Sequence, residues 1–169
     1  MQRVLVIGPC GAGKSTASHR IASALDLPIY HLDKLHWSAG WVEGSKDELR
    51  AALAPIVASD CWLIDGNYGS TMEARLKRAD TVVYLDYPIT LCLWRAAKRV
   101  WLYRGRSRPE MAEDCPERFD LDFFWYIANW NKHARPRTEN LIQGSEASIL
   151  RFKTPRQLDR WLSKLESRS

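Results

Sequence analysis

Short, predominantly apolar runs, of which residues 4–7 are wholly so, alternate along the chain with longer stretches in which apolar residues recur every third or fourth position. Residues 4–7, 29–32 and 62–64, Thr81–Leu85 and Ser148–Phe152 are runs of the first kind. A strand without polar alternation is one buried on both faces, the condition of a strand inside a parallel sheet covered by helices. Ala17, Ile21, Ala24 and Leu25 keep helical spacing after the first run, as do Leu49, Leu53, Ile56 and Val57 before the third. Ser45 and Glu48 form a capping box at the head of the latter helix, and Pro55 inside it predicts a kink or an early end. Asp86-Tyr87-Pro88 turns the chain into a long helix, on which Trp94 and Trp101, seven residues apart, are expected to face the core. Residues 105–116 are polar and rich in turn formers, hence a loop or flap, and 121–130 resume as helix. Thr154 and Pro155 cap a last helix whose buried stripe is Leu158, Trp161, Leu162 and Leu165. This alternation predicts an α/β fold, with a parallel sheet between two layers of helices, in one domain spanning residues 1–169.

Composition narrows the class. At 169 residues the chain can bury a real core, and with 46% hydrophobic and 27% charged residues it is not a disordered chain. No apolar run approaches the ~18 residues of a membrane span, and the first stops at Gly8-Pro9, too short for a signal peptide. Cys10, Cys61, Cys92 and Cys115 lie far apart, so there is no CxxC pair; the expectation is a reduced, cytoplasmic protein. The net charge of +5 is local. Residues 94–108 hold six basic side chains (Arg95, Lys98, Arg99, Arg104, Arg106, Arg108) and no acid, and the rest of the chain has 19 basic against 20 acidic residues. Such a block suits a polyphosphate or a nucleic-acid backbone, or it is simply a solvated helix face.

The strongest chemical signal is Gly8-Pro9-Cys10-Gly11-Ala12-Gly13-Lys14-Ser15, which fits G-x-x-x-x-G-K-[ST] at every fixed position, between a buried strand and an amphipathic helix. Glycines there let successive N–H groups converge on phosphate oxygens at a helix N-terminus. Lys14 reaches the terminal phosphates, and the Ser15 hydroxyl can ligate Mg²⁺. Thr16 completes the loop, and nucleotide binding follows. Cys10 reads as a small residue filling a tight turn rather than a redox switch. His31, Asp33 and His36 would leave a strand end in different directions, which argues against a metal there.

With that loop in place, the remaining motifs resemble the adenylate-kinase-like branch of small P-loop kinases, and more narrowly the bacterial topology-modulation proteins. The resemblance rests on GPCGAGKST at 8–16, HLDKLHW at 31–37, WLIDGNY at 62–68, RADTVVYLDYP at 78–88 and the arginine-rich stretch that follows. It implies a five-stranded parallel sheet in the order 2-3-1-4-5, with a lid of about residues 104–118 closing over ATP. It gives Lys14 and Ser15 the phosphate and Mg²⁺ roles, and Asp65 the orienting of Mg²⁺ through water. It matches Arg95 and Arg99 to the arginine pair that opens the lid, puts Arg104, Arg106 and Arg108 in the lid, and offers Arg135 and Arg137 as arginines returning from its far side. Two departures stand out. Asn67-Tyr68-Gly69 replaces the Phe-Pro-Arg that grips an acceptor phosphate in adenylate kinases, and Asp33 sits like the acid that holds an acceptor hydroxyl in shikimate-type kinases.

The residues weigh in the same direction. Arg95 and Arg99, four apart, share a helix face and can converge on one anion. Asp65 ends a buried strand, where a carboxylate is costly unless used or paired. Asp33 is either an acceptor-orienting acid or a turn residue, and Trp37 and Trp41 either stack on a planar acceptor or pack. The expected activity is an Mg²⁺-dependent kinase moving the γ-phosphoryl of ATP to a nucleotide, nucleoside or hydroxylated metabolite. The alternative is an ATP-binding regulator of DNA topology that holds nucleic acid through its basic segment. The sequence leaves oligomeric state open.

Overall fold

In the computed structural model, which describes residues 1–107, 109–112 and 114–167, Val4, Leu5, Val6 and Ile7 are wholly buried. The elements run β1 (Arg3–Ile7), α1 (Lys14–Leu25), β2 (Ile29–His31), α2 (Leu32–His36), β3 (Trp37–Ser38), β4 (Val42–Glu43), α3 (Lys46–Ala58) and β5 (Trp62–Asp65). They continue with α4 (Gly69–Leu76), β6 (Thr81–Leu85), α5 (Ile89–Leu102), α6 (Leu121–Ala128), α7 (Ala134–Gln143), β7 (Ser148–Phe152) and α8 (Pro155–Glu166). Five strands form a parallel sheet in the order β2-β5-β1-β6-β7, while β3 and β4 make a separate antiparallel hairpin. Counting only the sheet's own strands, that order is the expected 2-3-1-4-5.

Successive side chains of a strand point to opposite faces. Val4 and Val6 accordingly join a core with Ala17 and Ile21 of α1, Cys92 and Ala96 of α5, Ile127 of α6 and Leu162 of α8. Leu5 and Ile7 join another with Leu32 of α2, Leu53 of α3, Met72 of α4 and Ile142 of α7. Both faces of the central strands β1, β5 and β6 are covered, which is why these read as almost unbroken apolar runs, while the edge strands β2 and β7 are less buried and carry polar residues.

Both capping boxes form, at Ser45/Glu48 and Thr154/Gln157. Several expectations need correction. The second strand stops at His31, and Leu32 opens the short helix α2. Helix α3 does not end at Pro55 but runs three residues past it to Ala58, the proline forfeiting only the hydrogen bond of its own missing amide. Trp94 and Trp101 are not core residues but 59% and 76% exposed. The small side chains of Cys92 and Ala96 are the ones buried against the sheet, and the opposite side of α5 is left to the tryptophans. Helices α4 and α7 and the β3–β4 hairpin were not expected. The described residues between α5 and α6 contain two isolated bridges, Arg104 with Glu117 and Ser107 with Pro116, and no helix or longer strand. Arg108 lies outside the described residues.

Candidate active site

The loop after β1 is held open by packing that only glycine permits at two points. A Cβ on Gly8 would collide with the carbonyl oxygen of Leu85, and one on Gly11 with that of Cys92. Gly13, also at positive φ, is the N-cap of α1, whose first turn carries no acid. The resulting N-terminus offers unopposed N–H groups to an anion. The Lys14 ammonium folds back over the loop and donates to the carbonyls of Gly8 (3.1 Å) and Pro9 (3.3 Å). From α5, the Arg95 guanidinium donates to the carbonyl of Ala12 at 3.0 Å. A cavity of about 1250 Å³ opens beside it, lined by Gly11, Ala12, Gly13, Lys14, Ser15 and Thr16. Gly8 shapes the loop without lining the cavity.

Asp65, at the end of β5, pairs in register with Val6 of β1, which sets its carboxylate beside the loop. Its side chain is 5% exposed, lines the cavity, and has one oxygen 3.0 Å from Nδ1 of His31. The other oxygen has no partner among the described residues. A buried carboxylate left half satisfied at a phosphate site suits the water shell of a cation, and with the Ser15 hydroxyl at the loop it supplies the hard oxygen donors that Mg²⁺ takes.

Three residues in this corner carry roles the sequence reading did not assign. Asn67 clasps the loop from both sides, accepting from the Gly8 amide (3.1 Å) and donating to its carbonyl (2.8 Å). Arg75, wholly buried, donates to the carbonyls of Gly66, Asn67, Tyr68 and Thr71; burial pushes its guanidinium down to about 9. Tyr68, at φ 30°, donates its hydroxyl to Oδ1 of Asp33 at 2.9 Å. The signal was present for Asn67 and Tyr68 in the replacement of Phe-Pro-Arg. For Arg75, one basic residue in a helix, there was none.

Asp33 lines the cavity, and its Oδ2 has no partner among the described residues. Trp37 and Trp41 line it too, edge to face with ring centroids 5.5 Å apart. His36 is turned to Glu43 (3.1 Å). The three residues considered for a metal thus diverge: His31 faces Asp65, Asp33 faces Tyr68, and His36 faces Glu43.

The basic residues separate. Arg95 and Arg99 both line the cavity. Arg99 pairs with the buried Glu117 at 3.2 Å and lies over the Phe123 ring. Arg104 and Arg106 are exposed and do not line it. Arg135 requires a correction: its guanidinium is bound to Asp86 and Glu139 in a network shared with Arg151, away from the cavity lining. Arg137, two positions on, is the α7 arginine that lines the cavity. The segment before α6 docks on the hairpin through Trp41 Nε1 to the Pro116 carbonyl (3.0 Å), Gly40 N to the Asp114 carbonyl (2.9 Å) and Cys115 Sγ to the Ser38 carbonyl (3.3 Å). Among the described residues no helix is long and apolar enough to cross a membrane.

No family model matches the chain. A shikimate kinase of Pseudomonas syringae pv. syringae is 30% identical over 133 residues, covering 70% of this chain and 74% of that protein. Among solved structures, a shikimate kinase from Acinetobacter baumannii in complex with shikimate matches with TM-score 0.64 and 16% identity over 100% of this chain and 95% of its own. A deoxyadenosine kinase from M. mycoides with bound dATP matches with TM-score 0.55 and 14% identity over 98% and 99%. These structures share the fold of the sheet and its covering helices.

Proposed function

The chain belongs to the shikimate kinase family, and we propose that it moves the γ-phosphoryl group of ATP, with Mg²⁺, to a hydroxyl of a small molecule held at Asp33. It is an ATP-dependent kinase of the adenylate-kinase-like P-loop type; the acceptor and the residue roles are the proposal. One observation carries it: a single cavity holds the phosphate loop, Asp65 and Asp33, so a donor phosphate and an acceptor hydroxyl can meet inside it. Within the adenylate-kinase-like branch of P-loop kinases we place the chain beside the bacterial topology-modulation proteins, on HLDKLHW and WLIDGNY.

The amides of residues 11–16 and Lys14 cradle the β- and γ-phosphates. Mg²⁺, held by Ser15 and by water on Asp65, would neutralise charge on the phosphates. Asp33 keeps one oxygen on Tyr68 and offers Oδ2 to the acceptor hydroxyl, orienting it and taking its proton. Arg95, anchored at the loop, and Arg99, released from Glu117, stabilise charge on the transferring group. Both belong to the basic block read from the sequence, and both line the cavity, which favours phosphoryl transfer over nucleic-acid binding for that part of the block.

Acceptor-dependent release of ADP tests the reading. Lys14→Ala is expected to abolish turnover with the circular dichroism spectrum unchanged. Asp33→Asn is expected to cost about 10²–10⁴ in kcat with ATP affinity retained. Full activity of Lys14→Ala would end the kinase assignment, and full activity of Asp33→Asn would remove Asp33 from the acceptor site.

A further inference from the structure

The wall next to Asp33 is built of rings. Tyr68, which donates to Asp33, lies edge-on to His36 with centroids 4.9 Å apart. His36 lies edge-on to Trp37 at 5.8 Å, and Trp37 to Trp41 at 5.5 Å. Trp37, Trp41 and Tyr68 line the same cavity as the phosphate loop. Buried aromatic side chains are ordinary; three rings on the inner wall of a reaction cavity beside the acceptor acid, braced from behind by the buried His36, are a surface for a flat ligand.

The charges on that wall are mainly negative. Asp33 and Glu43 both line the cavity there, Glu43 fixed by His36 at 3.1 Å. Among the described residues, the guanidinium in contact with these rings is that of Arg118, which lies over Trp41, 5.5 Å from the centroid. An acceptor bearing its own carboxylate or phosphate would meet two acids and an arginine already engaged with a ring. An uncharged heterocycle loses nothing to these acids, and their oxygens can accept from its exocyclic amines. Every base has a π-face that stacks on an aromatic side chain.

We propose that the acceptor is an uncharged nucleoside, its base against Trp37 and Trp41 and its sugar hydroxyl at Asp33. This rests on the kinase reading above and adds to it the class of acceptor. In the transfer, the sugar oxygen forms a bond to the γ-phosphorus while the bond from that phosphorus to the β–γ bridging oxygen breaks. The electron pair leaves with ADP, and the hydroxyl proton passes to Asp33 Oδ2 and on to water. The products are a nucleoside monophosphate and ADP.

The test is ADP release with ATP and Mg²⁺ against adenosine, deoxyadenosine, guanosine, cytidine, uridine and thymidine, with shikimate and AMP as charged competitors and ATP binding followed by calorimetry. Turnover with at least one nucleoside is expected. For that nucleoside, Trp37→Ala is expected to raise KM at least tenfold with the KM for ATP unchanged, and Trp37→Phe, which keeps a stacking face, to restore it. Turnover with shikimate or AMP alone, turnover with none of the panel while ATP still binds, or an unchanged nucleoside KM in Trp37→Ala would each overturn the nucleoside assignment and leave the kinase standing. Failure to bind ATP would remove both.

Discussion

Arg75 carries a full positive charge into the interior with carbonyl oxygens as its partners among the described residues. Those carbonyls belong mostly to the loop joining β5 to α4, the stretch that holds Asn67 on the phosphate loop and Tyr68 on Asp33. Desolvation lowers the guanidinium to about 9, so it stays charged at neutral pH, and its planar fork meets several acceptors at once. A lysine keeps the charge and loses the fork. Arg75→Lys is therefore expected to lower stability by about 2 kcal/mol, read as a shift of the urea midpoint at constant m. A midpoint within error of the native one would show that the carbonyls are satisfied without it.

At the scale of elements, the sheet depends on where its strands start as well as on their apolar faces. Asp80, just ahead of β6, accepts from the amides of Gln2 and Arg3 at the mouth of β1 and from the Thr81 hydroxyl. Desolvation pushes its carboxyl up, but these hydrogen bonds outweigh it and hold the group below its ordinary value of 3.8. A folded value below the unfolded one gives stability that is full above the ordinary value and fades as pH falls through the depressed one. Asp80→Ala is expected to cost roughly 1 kcal/mol at neutral pH, with the gap to the native protein closing in acid; urea titrations across pH 2–7 check it, and a gap that persists at the acid end sinks the account. Such ties were invisible in the sequence, whereas the central strands were plain because burial on both faces leaves almost only apolar residues. Helices α4 and α7 escaped notice because in so few turns an apolar stripe has little room to repeat. The two tryptophans of α5 show another limit. A spacing of seven says that they share a face, but whether that face or the one with Cys92 and Ala96 meets the sheet is decided by how closely the helix must approach.

Over the whole molecule, the phosphate loop was legible because its chemistry demands fixed residues at fixed spacing, while the acceptor side was legible only as Asp33, Trp37 and Trp41 with their roles undecided. Arg135 and Arg137 illustrate why. Two positions apart on a helix they point in widely different directions, and only the packing of α7 selects Arg137 for the cavity. The same packing sorts the tryptophans by place: Trp62 and Trp130 are sealed from bulk solvent, Trp94, Trp101 and Trp125 stand in solvent, Trp161 is half-buried, and Trp37 and Trp41, together with Trp130, line the cavity. The protein is thereby optically partitioned. Iodide, a charged quencher that stays in water, is expected to extinguish the red-emitting solvent group and leave a blue-shifted remainder from the sealed pair, and a single uniformly quenched emission band would contradict that partition. A ligand entering the cavity then writes its signal onto the indoles that line it, Trp37, Trp41 and Trp130, so the native chain carries its own spectroscopic report of occupancy without an added label.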